Sequence, residues 1–154
     1  MEIAGEHGCE GGPIRSEDPV ILVHIPGDAR LDNEKCLESF RAAEKFFAMY
    51  FSYFLYKYFV CGSWLLDDKL GDFLGKNSNI LGFQSLFNLY KKEESRSLLR
   101  YVFSRTTTTD NIREFEAESS LQKKLQKYIA AGGKTYEGFG IRIKEENDYG
   151  RYYY

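Results

Sequence analysis

The chain has 154 residues, of which 43% are hydrophobic, 16% aromatic and 29% charged. This length suits one domain or one half of a larger two-part fold, and the aromatic content excludes a chain that is disordered throughout. With 21 basic and 23 acidic residues, the net charge of −2 gives no electrostatic reason to expect a nucleic-acid partner. The three cysteines lie far apart and form no CxxC pair, which favours a reducing, cytoplasmic compartment.

The first fifty residues predict a leader, a strand and a helix. Residues 1–18 are rich in glycine and glutamate and lack the apolar segment of a secretory signal, so we expect a flexible leader. Residues 19–26 form a β-branched apolar run between two prolines, which predicts a buried strand. Gly27 and Asp28 follow as a turn, and Asp32 is the expected N-cap of an amphipathic helix that reaches the low fifties.

The middle of the chain is unusually apolar. Residues 46–66 have the length of a membrane-spanning helix, but Lys57 lies within the segment and four tyrosines, which prefer the membrane interface, are spread along it. We therefore expect no membrane span. Residues 58–66 instead predict a central strand, and Asp67 is the expected cap of a short helix that ends at Gly75. Residues 77–79 predict a second cap, for a helix over 80–85.

The last third predicts a hairpin, a helix and a strand. Residues 86–90 and 98–103 are strand candidates joined by a charged stretch. Ser119 or Ser120 begins a helix that ends at Gly132-Gly133, and residues 136–143 predict a final strand before a polar, tyrosine-rich tail over 144–154. The order of elements indicates an α/β or α+β fold with one mixed sheet flanked by helices.

Few residues are candidates for chemistry. Cys61, at the end of the predicted central strand, is a candidate nucleophile, although a buried free cysteine more often acts as a small hydrophobic residue. His24 lies on a buried or half-buried face of the first strand, where a structural role is favoured over a catalytic one. Gly27 lies where α/β proteins often bind phosphate on backbone amides, but an ordinary turn is favoured. No cluster has metal-ligand spacing, so we expect no metal.

Three blocks of sequence carry a family resemblance. The first block is residues 23–26 with the helix at Glu38. The second is residues 61–70 with residues 77–87, which contain SWLLD and SNILGFQ. The third is residues 120–125 with residues 131–133. Together they resemble the GNAT-like C-terminal domain of bacterial acyltransferase-domain proteins, in which it follows a separate helical N-terminal domain. The resemblance covers about residues 20–143, which implies a GNAT-like domain over 19–143.

The resemblance implies an acyl-CoA, either acetyl-CoA or a longer one, held where two strands of a mixed sheet splay apart. The acyl group would pass directly to an unidentified amine. The implied acyl-CoA-binding residues are Gly27, Ser63, Trp64, Asn79 and Gln84. Trp64 also fits a core anchor, and Asn79 and Gln84 also fit side chains that tie loop backbone.

The implied catalytic residues are Tyr90 and Tyr101, candidate acids by fold analogy alone, with Cys61 as the third candidate. Asp67 is expected to be a helix cap rather than a general base. Residues 25–30 contain one glycine and an acidic residue, where GNAT enzymes have a glycine-rich pyrophosphate loop. The leading hypothesis is an acyltransferase-like domain that binds acyl-CoA. The alternative is a non-catalytic interaction module that pairs with a separate N-terminal domain or with a second copy.

Overall fold

One mixed sheet of four strands organises the computed structural model, which describes residues 14–145. The strands are β1 (Val20–Leu22), β2 (Tyr58–Ser63), β3 (Asn88–Glu94) and β4 (Tyr136–Ile143), in the spatial order β1-β2-β4-β3. β1 is parallel to β2, and β4 is antiparallel to both β2 and β3. The expected mixed sheet is confirmed, whereas most of the predicted leader and tail lies outside the described residues.

Within residues 14–145, three α-helices accompany the sheet: α1 (Asn33–Tyr50), α2 (Asn79–Gln84) and α3 (Ser120–Ala130). The predicted cap of α1 is confirmed, because the Asp32 carboxylate accepts a hydrogen bond from the Lys35 backbone N–H at 3.1 Å. α3 begins with a capping box between Ser119 and Gln122 and is followed by Gly132 at a φ of +91°, a conformation that favours glycine.

Two 3₁₀ turns, Trp64–Leu66 and Asp68–Asp72, follow β2. The prediction that the strand continues to residue 66 is therefore wrong at its end, because the Ser63 hydroxyl accepts a hydrogen bond from the Leu65 N–H at 3.2 Å and starts a turn. Asp67 is a cap, as expected. Its buried carboxylate accepts hydrogen bonds from the N–H groups of Lys69 and Tyr136, both at 3.0 Å, and so joins the second turn to β4.

The predicted hairpin over residues 86–103 is wrong. β3 continues through the charged residues to Glu94 and pairs with β4, and Leu99–Phe103 form a π-helical turn. Leu98 and Leu99 are both buried, and two consecutive buried side chains do not suit a strand with one exposed face. The charges of β3 are tolerated because an edge strand leaves them in solvent.

The buried side chains form two clusters. The first joins α1 and α2 to β2 and contains Phe40, Tyr56, Phe59, Cys61, Leu65, Leu66, Phe83 and Phe87. The second surrounds α3 and contains Leu70, Leu98, Leu99, Ile112, Leu125 and Ile129. Trp64 and Ile80 pack against both clusters and connect them. Within residues 14–145, no helix combines the length and apolar character that crossing a membrane requires.

The close approach of β4 to the turn after β2 predicts a stability difference between two glycines. Gly138→Ala is expected to lower the free energy of unfolding by about 1–3 kcal/mol, because the added Cβ would overlap the Leu66 carbonyl oxygen. Gly75→Ala is the matched control, since no heavy atom lies within 4 Å of its added Cβ, and should change stability by less than about 0.5 kcal/mol. Urea denaturation measures both. An equal loss of unfolding free energy in the two variants would contradict the close approach of β4 to Leu66.

Candidate functional site

A groove of about 950 Å³ opens where β1 ends beside β2. The two strands pair only as far as Leu22 and Val60, and the last bond between them runs from the Val23 N–H to the Val60 carbonyl at 2.8 Å. β1 is thus shorter than the predicted strand over 19–26. From His24 onward the chain leaves the sheet toward α1, while β2 continues to Ser63, and both segments line the groove.

The backbone of Gly62 faces this groove. The Lys57 carbonyl accepts a hydrogen bond from Lys144, just beyond β4, whereas the Val60 carbonyl accepts one from β1. Because backbone groups alternate in direction along a strand, odd-numbered residues of β2 face β4 and even-numbered residues face β1. Gly62 therefore directs its N–H and C=O toward the space that β1 has left, where no strand of residues 14–145 pairs with it.

The groove brings together five of the eight predicted site residues: Gly27, Ser63, Trp64, Asn79 and Tyr101. The Ser63 hydroxyl oxygen already accepts a hydrogen bond from Leu65, so its own proton is available to a ligand. Trp64 lines the groove and also packs against both core clusters, so the two interpretations of this residue are compatible. The role of all five in binding stays a prediction.

The other three predicted residues do not line the groove. The Gln84 side-chain amide donates to the carbonyls of Leu65 and Asp67 at 2.8 and 2.9 Å, which matches the backbone-tying interpretation. Cys61 is only 1% exposed within the first core cluster. Burial, followed by the charge of Glu137, raises the pKa of the Cys61 thiol to about 11, so the thiol is protonated at neutral pH.

Tyr90 is half-buried on the edge strand β3. The register of β3 against β4 shifts between Leu89 and Lys91, which makes Tyr90 the extra residue of a β-bulge. Burial raises the pKa of its hydroxyl, and the charge of Lys91 opposes that rise. Of the two candidate tyrosines, Tyr101 lines the groove and Tyr90 does not.

Six groove residues with polar or charged side chains were not predicted as site residues: His24, Arg30, Asp32, Lys35, Ser97 and Glu137. The buried or half-buried placement of His24 is wrong. Its side chain is exposed, because it lies on the same face of the extended chain as Leu22, which is 63% exposed within β1. Arg30 and Lys35 are basic residues on either side of the Asp32 cap. A search for cations around this helix start would have found them.

The described residues offer no metal site, because residues 14–145 contain no group of three or more His, Cys, Asp or Glu side chains close enough to hold an ion. The groove instead combines apolar side chains, two basic and two acidic residues (Arg30, Lys35, Asp32 and Glu137), hydroxyl groups, an imidazole and the open backbone of Gly62. Such a lining suits a long ligand that has an apolar part, amide groups and charged groups.

The comparisons agree on the fold. Residues 6–142 match the family described as GNAT-like C-terminal domain. An acyltransferase solved with decanoyl-CoA is 26% identical, with a TM-score of 0.75 over 86% of this chain and 42% of that one. An acyltransferase solved with decanoyl-CoA and teicoplanin is 23% identical, with a TM-score of 0.70 over 80% of this chain and 40% of that one. No protein of curated function matches the sequence significantly.

The contacts of Gln84 predict a structural role that can be separated from ligand binding. Gln84→Met is expected to lower the free energy of unfolding by about 1–3 kcal/mol, because the carbonyls of Leu65 and Asp67 lose their donor. The exposed Asn79→Ala should change stability by less than about 0.5 kcal/mol. Thermal and urea unfolding measure both, and a Gln84→Met variant as stable as the parent chain would rule out this role.

The buried thiol predicts a loss of stability at alkaline pH. The unfolded chain releases the Cys61 proton near pH 9, whereas the folded chain retains it up to about pH 11, so the free energy of unfolding falls over that interval by about 2–3 kcal/mol. Cys61→Val should remove this part of the decrease. It should leave the part due to Tyr56, whose pKa burial raises to about 12. Urea denaturation at a series of pH values from 7 to 11 tests this. The same dependence of the unfolding free energy on pH in the parent chain and in Cys61→Val would contradict it.

Proposed function

Because the chain belongs to the GNAT-like C-terminal domain family, we propose that it binds an acyl-CoA in the groove and takes part in transfer of the acyl group to an amine. One observation carries the proposal. The groove lies where β1 parts from β2 and is lined by five of the residues that the sequence predicts for catalysis or acyl-CoA binding. The 26% identical acyltransferase, which was solved with decanoyl-CoA, supports an acyl-CoA as the ligand.

The groove has a suitable partner for each part of acyl-CoA. The N–H and C=O of Gly62 can pair with the amide groups of the pantetheine arm, as a neighbouring strand would. Arg30 and Lys35 can meet the phosphates through charge-assisted hydrogen bonds. The side chains of Trp64 and Ile80 give the acyl chain an apolar surface.

The proposed reaction is a direct transfer. The amine nitrogen attacks the thioester carbonyl carbon, an N–C bond forms, and the C–S bond breaks. His24, whose imidazole lines the groove, accepts the amine proton as a general base. Tyr101 gives its hydroxyl proton to the departing CoA thiolate. The Ser63 hydroxyl donates to the carbonyl oxygen as negative charge develops on it.

The chain spans about two fifths of the length of the solved acyltransferases that it matches. We therefore propose that the groove supplies the acyl-CoA side of the reaction, and that the acceptor amine is held in part by a second domain. The alternative function is a non-catalytic interaction module, which would have the same fold but bind no acyl-CoA in the groove. A cytoplasmic location fits both functions and stays a prediction.

Calorimetric titration with decanoyl-CoA and with CoA tests the proposal. We expect saturable heat and a melting temperature that rises with ligand concentration, because a ligand that binds only the folded chain stabilises it. The double variant Arg30→Ala, Lys35→Ala should lower the affinity for both decanoyl-CoA and CoA, since both ligands carry the same phosphates. Absence of heat and of any thermal shift at roughly 100 µM ligand would contradict acyl-CoA binding by this chain and would favour the interaction module.

A matched pair of tyrosine variants tests the proposed acid. Tyr101→Phe should reduce acyl transfer about 10²-fold or more at unchanged decanoyl-CoA affinity, because the proton donor is lost while the ring remains. Tyr90→Phe is the control, since Tyr90 lies outside the groove lining, and should keep the parent rate. The readout is CoA thiol release in the presence of a panel of amines. Equal rates for the two variants, where the parent chain releases thiol measurably above background, would exclude Tyr101 as the acid.

A further inference from the structure

Six large apolar side chains are exposed together where α1 ends. They are Phe46, Met49, Tyr50, Phe51, Tyr53 and Leu55, each between 37% and 79% exposed, and we call them the aromatic patch. Exposed apolar residues are ordinary when they are scattered singly. Several of them within one short segment, with rings in mutual contact, are typical of a contact surface.

The aromatic patch is a packed surface. The Phe46 ring contacts the rings of Tyr50 and Phe51 at centroid distances of 5.1 and 5.8 Å, and Tyr53 contacts Phe51 at 6.3 Å. Phe47 lies beneath them and anchors the patch to buried Tyr56 at 5.5 Å. Since the rings already hold one another in place, little side-chain freedom remains to be lost when a partner covers them.

The chain is uncharged from residue 46 to residue 56. A contact between two identical surfaces related by a twofold axis brings equivalent regions together, so any charge near the axis would meet its own copy. A segment without charged side chains lessens both that repulsion and the cost of burying an unpaired charge, and Lys144, over the Tyr56 ring at 4.9 Å, is a cation at its margin. The composition of the aromatic patch therefore suits a second copy of the same chain.

The size of the patch is also sufficient. Taking roughly 200 Å² for each large side chain, the observed exposures amount to about 700 Å² per copy. Two copies would bury about 1,400 Å², which is within the range of about 1,200–2,000 Å² for specific protein–protein interfaces. We propose that the aromatic patch is the contact surface of a homodimer, in which α1 and the loop after it meet the same elements of a second copy.

This dimer leaves the groove accessible. Asp32 and Lys35, at the start of α1, line the groove, whereas the patch begins in the last turns of a helix of 18 residues. Phe46, the first residue of the patch, follows Lys35 by eleven residues, which is about 16 Å along the helix axis at 1.5 Å per residue. Acyl-CoA binding and dimerisation are therefore independent measurements, and the failure of one does not imply the failure of the other.

Sedimentation equilibrium over a range of protein concentrations tests the dimer. The patch variant carries Tyr53→Asp and Leu55→Asp, at side chains that are 79% and 77% exposed, so their replacement leaves the core intact. The matched control is Leu22→Asp, an exposed apolar residue of β1 outside the patch. We expect a concentration-dependent dimer for the parent chain and the control, and a monomer for the patch variant. Far-UV circular dichroism and cooperative unfolding in urea establish that all three proteins are folded.

Three results would overturn the proposal. A parent chain that stays monomeric at roughly 100 µM would do so, because interfaces of this size bind with dissociation constants of about 1 µM or lower. A patch variant that still dimerises would place the contact elsewhere on the chain. A control that loses the dimer together with the patch variant would show that any added charge prevents association.

Discussion

The site depends on the point at which β1 stops pairing with β2. β4 accompanies β2 along its whole length, whereas β1 makes its last bond to Val60 and then turns away. A strand that ends one residue earlier or later would change which backbone groups are left open, because the direction of those groups alternates along the chain. The open backbone of Gly62 follows from this single departure.

The side of the groove formed by the turn after β2 is fixed by buried polar groups. Asp67 joins this turn to the first residue of β4, and Gln84 joins it to the end of α2. Desolvation raises the pKa of the Asp67 carboxyl, and its two backbone hydrogen bonds oppose that rise by favouring the charged form. The absence of a Cβ at Gly138 then lets β4 approach the same turn closely.

Local signals in the sequence were sufficient for much of the fold. The cap at Asp32, the final strand over 136–143 and the helix before Gly132 follow from side-chain chemistry within a few residues, and all three are confirmed. The hairpin failed because strand pairing is non-local: β3 pairs with a strand about fifty residues later. The site was predicted only in part for the same reason, since the open backbone of Gly62 depends on where β1 stops pairing with β2.

Trp64 is the only tryptophan of the chain, and it touches both core clusters as well as the groove. Its indole therefore gives the molecule an intrinsic optical reporter that needs no label. Light absorbed at the red edge of the protein spectrum excites this ring and not the twelve tyrosines. The fluorescence of this one indole therefore responds to the packing of both core clusters and to the occupancy of the groove. Unfolding and ligand binding can both be followed through the same residue.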